Sequence, residues 1–169
     1  MWSSDAVQRR SLLGAALIMP VGVLTACGFQ LRGSPRMAFA SVGFRGFSAN
    51  SALQAELRRQ LASSVRVLEA PALPEVLIES LQDTRERSVV ASTAAAQVRE
   101  LQLRLKFHFR ASTPSGRELI PRVELLLTRD LSYTETAALA KEQEEAVLFR
   151  DMQDDVVNQV LRRLASIRL

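Results

Sequence analysis

A strict alternation of apolar and polar residues constrains the fold more than any other feature of this sequence. Apolar side chains occupy every second position of one stretch, namely Leu101, Leu103, Leu105, Phe107 and Phe109. The positions between them carry Gln102, Arg104, Lys106, His108 and Arg110. A period of two residues is typical of a β-strand with one buried face and one solvated face. The stretch therefore predicts a strand that directs its leucines and phenylalanines into a core.

A second alternating stretch predicts a hairpin partner for this strand. The turn-forming segment "STPSG" (Ser112 to Gly116) is followed by apolar residues at Val123, Leu125, Leu127 and Leu131. The register that places apolar residues opposite apolar residues predicts the cross-strand pairs Phe107–Val123, Leu105–Leu125 and Leu103–Leu127. The same register brings Lys106 opposite Glu124, which is an attractive cross-strand pair. Pro121 cannot donate to a β-ladder, so its strand should lie at a sheet edge or be bulged there.

The remaining chain predicts two helices and two further strands. The first strand is expected over Arg36 to Phe44, and the second over Glu75 to Asp83 with a bulge where the apolar phase shifts at Leu81. A first helix is expected after a capping-box serine at Ser51, with its buried stripe on Leu53, Leu57 and Leu61. The last helix is expected over Ala138 to Ala165, with its buried stripe on Phe149, Met152, Val156, Val160 and Leu164.

The order of these elements predicts an α+β sandwich, in which two helices pack on one face of a four-stranded mixed sheet in the order β-α-β-β-β-α. The helix between the first two strands implies a parallel crossover, and the short links between later strands imply antiparallel pairing. The other face of the sheet should be polar, because it carries Arg104, Lys106, His108, Arg110, Arg122 and Glu124.

The N-terminus has the layout of a secretory signal peptide. Arg9 and Arg10 precede an apolar run from Leu12 to Leu24, and small residues lead from there to Cys27. The run is short for a membrane-spanning helix, although a transmembrane anchor or a buried core helix is the alternative. We expect residues 1–26 to be a removed signal peptide, residues 27–35 a lipidated tether, and residues 36–169 a single domain.

The segment "LTAC" (Leu24 to Cys27) resembles the lipobox of bacterial lipoproteins. That resemblance implies acylation of Cys27 on its sulfur and on its new amino terminus, which would anchor the protein firmly in a membrane. Gly28 follows the cysteine, whereas an Asp at that position retains many lipoproteins at the inner membrane. The resemblance therefore implies sorting to the outer membrane.

Composition argues against several classes of function. From Cys27 onward the chain carries 20 basic and 17 acidic residues, with no basic block and few aromatic residues, which is not typical of a nucleic-acid-binding protein. Cys27 is the only cysteine and His108 the only histidine, so neither a disulfide nor a His/Cys metal site is expected. No phosphate-binding glycine loop or nucleophile elbow is present. We expect no cofactor beyond the lipid and no enzymatic activity.

Several stretches, taken in order, resemble the LptE family of lipopolysaccharide-assembly lipoproteins. They are "CGFQLRG" (Cys27 to Gly33), "GRELIP" (Gly116 to Pro121), "ALAKEQEE" (Ala138 to Glu145) and "QVLRRLASIR" (Gln159 to Arg168). The resemblance implies a protein of the outer membrane, anchored on the periplasmic side. It also implies a role as plug and assembly partner of the large β-barrel LptD, and a part in delivering lipopolysaccharide to the cell surface.

The resemblance also implies contact residues for lipopolysaccharide. The lysine of the "ALAK" motif corresponds to Lys141, although it could equally be an ordinary solvated residue at a helix start. A second basic contact belongs to the loop after the second strand, where this chain has Val90 and Ala91; nearby Arg87 could replace it. A lipid-tethered periplasmic enzyme and a chaperone or pilotin for another outer-membrane assembly remain as alternative functions.

Overall fold

The alternating stretch forms one strand of a mixed five-stranded sheet. The computed structural model describes residues 36–94 and 97–168. Its elements are β1 (Ser41–Arg45), α1 (Ala52–Leu61), β2 (Arg66–Val67), β3 (Val76–Ser92), β4 (Val98–Ser112), β5 (Glu118–Ser132), a 3₁₀ turn (Glu135–Ala137) and α2 (Ala138–Ala165). The strand order is β2-β1-β3-β4-β5. β1 is parallel to both of its neighbours, β2 and β3, whereas β4 is antiparallel to both of its neighbours, β3 and β5.

Both helices cover the face of the sheet that carries the alternating apolar residues. Leu103, Leu105, Phe107 and Phe109 are buried together with the apolar stripes of α1 and α2. All five residues predicted for the stripe of α2 are buried, and the bounds of this helix coincide with the prediction. Ser51 caps α1 as predicted, because its hydroxyl accepts the backbone N–H of Gln54 at 3.1 Å.

The predicted fold class is confirmed, with one more strand than expected. The additional strand, β2, is only two residues long and pairs with β1, so it lacks the length from which a period of two can be recognised. β1 is shorter than predicted and begins at Ser41, because pairing with β3 covers only Val42 to Arg45. Phe39, which precedes the strand, is nevertheless buried.

The predicted register of the β4–β5 hairpin is wrong by two residues. The observed pairs are Phe107–Leu125, Leu105–Leu127, Leu103–Arg129 and Lys106–Leu126, and Glu124 lies opposite His108. Beside the turn, where Ser112 pairs with Glu118, the predicted register does hold. Irregularities in the following pairs then insert two extra residues on the β5 side. An even shift leaves every side chain on its predicted face.

Pro121 explains where the register changes. It lies in β5 between the paired residues Ile120 and Val123, inside the irregular part of the ladder, and β5 is an outermost strand of the sheet. The predictions of an edge position and of a bulge are therefore both confirmed. A proline is tolerated here because neither position requires its missing N–H.

β3 is much longer than predicted and carries the expected bulge. Its pairing with β4 shifts between Ser80 and Gln82, so Leu81 is the extra residue and its side chain is exposed. Beyond the bulge, the row facing the helices carries Asp83, Arg85 and Arg87 in place of apolar residues. This charged row removes the apolar signal that would have extended the strand prediction to Ser92.

The predicted signal peptide (residues 1–26), the lipidated Cys27 and the tether (residues 27–35) lie outside the described residues. Within 36–94 and 97–168, no helix combines the length and apolar character needed to cross a bilayer.

Candidate functional site

The uncovered face of the sheet carries charges joined across the strands. Glu79 on β3 accepts hydrogen bonds from Arg110 on β4 at 2.6 Å and from Arg45 on β1 at 3.3 Å. Glu79 is the more enclosed partner, with 19% of its side chain exposed. The hydrogen bond from Arg110, followed by that from Arg45, holds the pKa of the Glu79 carboxyl below its ordinary value, and the carboxylate in turn raises the pKa of Arg110.

The same charged surface continues toward β5. Lys106 lies 2.8 Å from Glu86, and Arg122 lies 2.8 Å from Glu124. The His108 ring nitrogen Nδ1 lies 3.3 Å from the Arg122 guanidinium and 3.9 Å from the Glu124 carboxylate. His108 thus lies beside the Arg122–Glu124 ion pair, and no serine or cysteine contacts it among the described hydrogen bonds.

We call this surface the open face and define it by Arg45, Glu79, Glu86, Arg104, Lys106, His108, Arg110, Arg122 and Glu124. The six members predicted from the sequence are half-buried or exposed, and they point away from the buried leucines and phenylalanines of β4. Cross-strand ion pairs hold Glu79 with Arg110 and Arg45, and Glu86 with Lys106, before any partner arrives. The surface therefore presents an ordered pattern of both charge signs at little further entropic cost.

A second polar region lies under α2, on the helix-covered side of the sheet. Arg85 on β3 donates to the Gln153 amide oxygen at 2.5 Å, and its guanidinium lies 5.6 Å from the centre of the Phe149 ring. Gln153 in turn donates to the backbone oxygen of Ala52 at the start of α1. The buried glutamine thus joins both helices to β3. Buried side-chain polar atoms lacking a hydrogen-bond partner are absent from the described ranges.

This region opens into a cavity of about 590 Å³, which we call the charged cleft. It is lined by Ala52, Arg85, Arg87, Glu142, Glu145, Ala146, Phe149, Arg150 and Gln153. Three arginines against two glutamates give the lining a small positive excess. Such a lining favours a ligand that carries a phosphate or carboxylate group.

The two predicted contact residues lie at the same end of the sheet, near the first turns of α2. Arg87 lies within β3 rather than in a loop, and its guanidinium is 3.2 Å from Glu145. The Lys141 ammonium lies 2.8 Å from Glu144 and 3.2 Å from the hydroxyl of Ser132, the last residue of β5. Glu144 offsets the unfavourable position of a lysine at a helix N-terminus.

Val90 and Ala91, where a loop was expected, belong to β3 as well. Sequence reasoning missed Arg85 and Gln153, since nothing in the helix pattern distinguishes a buried glutamine from an exposed one. The phase shift at Leu81 is the only signal that could have identified the inward-facing arginines. Within the described ranges, no three side chains of metal-ligating type are close enough together to hold an ion.

These features define a two-layer α/β domain with one charged, uncovered sheet face. The model of the LptE family, described as lipopolysaccharide-assembly, matches residues 39–164. The chain therefore belongs to the LptE family. None of the curated proteins matches it.

Three solved structures of bacterial lipoproteins resemble this fold. An uncharacterized lipoprotein B from Nitrosomonas europaea is 29% identical, with a TM-score of 0.69 over 82% of this chain and 91% of that chain. A minor lipoprotein from Acinetobacter baumannii is 18% identical, with a TM-score of 0.63 over 77% and 93%. The rare lipoprotein B from Shewanella oneidensis is 22% identical, with a TM-score of 0.62 over 75% and 94%. The last two show a common fold.

Proposed function

We propose that this chain is a non-catalytic outer-membrane lipoprotein that plugs and helps to assemble the β-barrel LptD, and that it assists delivery of lipopolysaccharide to the cell surface. Membership of the LptE family, by a match covering residues 39–164, is the observation that carries this proposal. The interior of a large outer-membrane barrel is polar and water-lined. The open face is polar and charged as well, so it is suited to contact with such an interior.

The proposal includes an anchor on Cys27. The lipobox places the acylated cysteine nine residues before Arg36, where the described chain begins. Two or more acyl chains hold a protein stably in a bilayer, whereas one holds it only marginally. The domain would then be tethered at the periplasmic leaflet of the outer membrane.

The proposal also assigns Lys141 and Arg87 as contacts for the phosphate groups of lipopolysaccharide. Lys141 and Arg87 both lie at the end of the sheet formed by the last residues of β5 and the C-terminal half of β3. Each is held by a glutamate on α2, so a phosphate would compete with a carboxylate already in place. Arginine is suited to such a competition, because it can grip phosphate through two parallel hydrogen bonds.

Purification of the tagged full-length protein from outer membranes tests the partner. We expect a very large β-barrel to be recovered with it, and depletion of the protein to reduce lipopolysaccharide at the cell surface. Cys27→Ala should release the protein from the membrane fraction. Recovery of a secretin or a flagellar ring instead would overturn the proposal in favour of a pilotin.

Photo-crosslinking to purified lipopolysaccharide tests the contact residues. Lys141→Gln and Arg87→Gln should each lower the yield several-fold, since each removes one charge-assisted contact. Arg162→Gln is the matched control, because this exposed arginine lies in the last turn of α2, remote from Lys141 along the helix. Equal yields from all three variants would contradict the assignment of Lys141 and Arg87.

A further inference from the structure

An apolar slot of about 340 Å³ lies beside Arg87, on the helix-covered side of the sheet. Val89, Val98, Leu101 and Tyr133 line it together with Arg87. We call this cavity the apolar slot. The proposed function does not use it.

The slot exists because the strands extend beyond their helical cover. β3 has 17 residues and spans about 56 Å, whereas α2 has 28 residues and spans about 42 Å. Val89 pairs with Leu101. Both residues belong to the row of side chains that includes Arg85, Arg87, Leu103 and Leu105, on the face of the sheet that the helices cover. Leu101 is 5% exposed but Val89 is 54% exposed, so Leu101 is covered and Val89 is open to solvent.

Arg87 connects the apolar slot to the charged cleft. It lines both cavities, and the cleft adds Arg85 and Arg150 on its other side. Arg85 has Gln153 and the Phe149 ring as its described partners, without a carboxylate. A cavity lined by three aliphatic side chains and a tyrosine therefore adjoins a cleft whose lining has a small positive excess, and Arg87 lies between them. An amphiphile with an anionic head group has this same division of polar and apolar parts.

We propose that the apolar slot binds a hydrocarbon chain of an anionic lipid while the phosphate of that lipid lies on Arg87. The inference rests on the proposed function for the phosphate contact and adds the chain-binding half of the site. The occupant is a lipid chain rather than an apolar side chain of a partner protein, because the slot shares Arg87 with the charged cleft, whose lining has a positive excess. Displacement of water from Val89 and Tyr133 supplies the binding energy.

Titration of the full chain carrying Cys27→Ser, which cannot be lipidated, tests the slot. The chain has one tyrosine, so 3-fluorotyrosine places a single ¹⁹F resonance at Tyr133, inside the slot. The probes are inorganic phosphate, octyl phosphate below its micelle concentration, and the uncharged octyl glucoside. We expect octyl phosphate to shift the resonance saturably and to bind at least about tenfold more tightly than inorganic phosphate.

Val89→Asp should abolish this gain in affinity, because it introduces a charge into the slot. Val90→Asp is the matched control, since Val90 is the next residue, is 48% exposed and does not line the slot. Equal binding of octyl phosphate by the wild type and Val89→Asp would overturn the proposal, as would equal affinities for octyl phosphate and inorganic phosphate.

Arg87→Gln separates the slot from the proposed phosphate contact. If Arg87→Gln weakens both phosphate probes while Val89→Asp changes neither, the phosphate contact stands and the slot fails. If octyl phosphate and octyl glucoside bind in a manner sensitive to Val89→Asp but insensitive to Arg87→Gln, the chain is bound without its phosphate on Arg87. That outcome supports the slot and contradicts the phosphate contact.

Discussion

Gly46 ends β1 in a conformation that other residues rarely adopt. Its φ is 76°, and a Cβ added there would lie 2.3 Å from the backbone oxygen of Ser80 on the neighbouring strand. Gly46→Ala should therefore lower the free energy of unfolding by at least about 2 kcal/mol, as measured by urea denaturation. The strain of positive φ and the collision with a backbone atom both contribute.

Gly116 provides the control, because its φ is 92° but a Cβ there would meet nothing within 4 Å. Gly116→Ala should cost about 1 kcal/mol, from backbone strain alone. Equal costs at the two glycines would show that the close approach of Gly46 to β3 has no energetic role.

Glu79 should make the stability of the protein depend on pH. Arg110 and Arg45 hold the pKa of its carboxyl below the ordinary value of 4.5, so the folded state favours the carboxylate. This stabilisation is complete above pH 4.5 and is lost as the pH falls through the lowered pKa of the folded state. The difference in free energy of unfolding between wild type and Glu79→Gln should shrink over that range. Parallel pH curves for the two proteins would contradict the role of Glu79.

At the scale of elements, the sequence predicted best where one regular pattern controls the outcome. The bounds of α2 were predicted to the residue. Its apolar stripe runs along one side of a 28-residue helix, so only one side of the helix can face the core. The face of each β4 side chain from Leu101 to Arg110 followed from alternation in the same way. The hairpin register did not, since the bulges around Pro121 add two residues without disturbing the alternation.

A cross-strand disulfide distinguishes the observed hairpin register from the predicted one. Lys106 and Leu126 are directly opposite each other on the open face, where the Cα atoms of paired residues lie about 4.5–5.5 Å apart. Lys106→Cys with Leu126→Cys, in a Cys27→Ser background, should oxidise to one intramolecular disulfide, measured by mass spectrometry.

The control pairs Lys106→Cys with Glu124→Cys, as the predicted register would require. These two positions are diagonal neighbours, about 7–8 Å apart, so they should oxidise slowly or not at all. Efficient oxidation of this pair in place of the other would show that the hairpin has the unbulged register in solution.

At the scale of the whole molecule, sequence and structure contribute different parts of the candidate site. Lys141 was predicted from the family resemblance and Arg87 as the replacement for a second family contact, and both residues lie at one end of the sheet. The charged cleft and the apolar slot could not be predicted, because each combines residues from β3 with others far along the chain. Periodicity reports which face a residue occupies, but not where two elements leave a space between them.

An exchange of two charges on the open face tests whether that face meets a partner. Glu86 and Lys106 form an ion pair of 2.8 Å, so Glu86→Lys with Lys106→Glu preserves an internal pair while inverting the pattern presented outward. The double variant should unfold within about 0.5 kcal/mol of wild type, because exposed pairs contribute little to stability. Recovery of the barrel should fall several-fold, since like charges placed across an interface are costly.

The same exchange on α1 is the control for this experiment. Glu56 and Arg59 form an ion pair on the helical side of the domain, and Glu56→Arg with Arg59→Glu also keeps net charge and internal pairing. If the open face faces the barrel wall, the α1 variant should recover the barrel as wild type does. The opposite result, with binding lost only in the α1 variant, would place the helical layer at the interface and leave the open face to solvent.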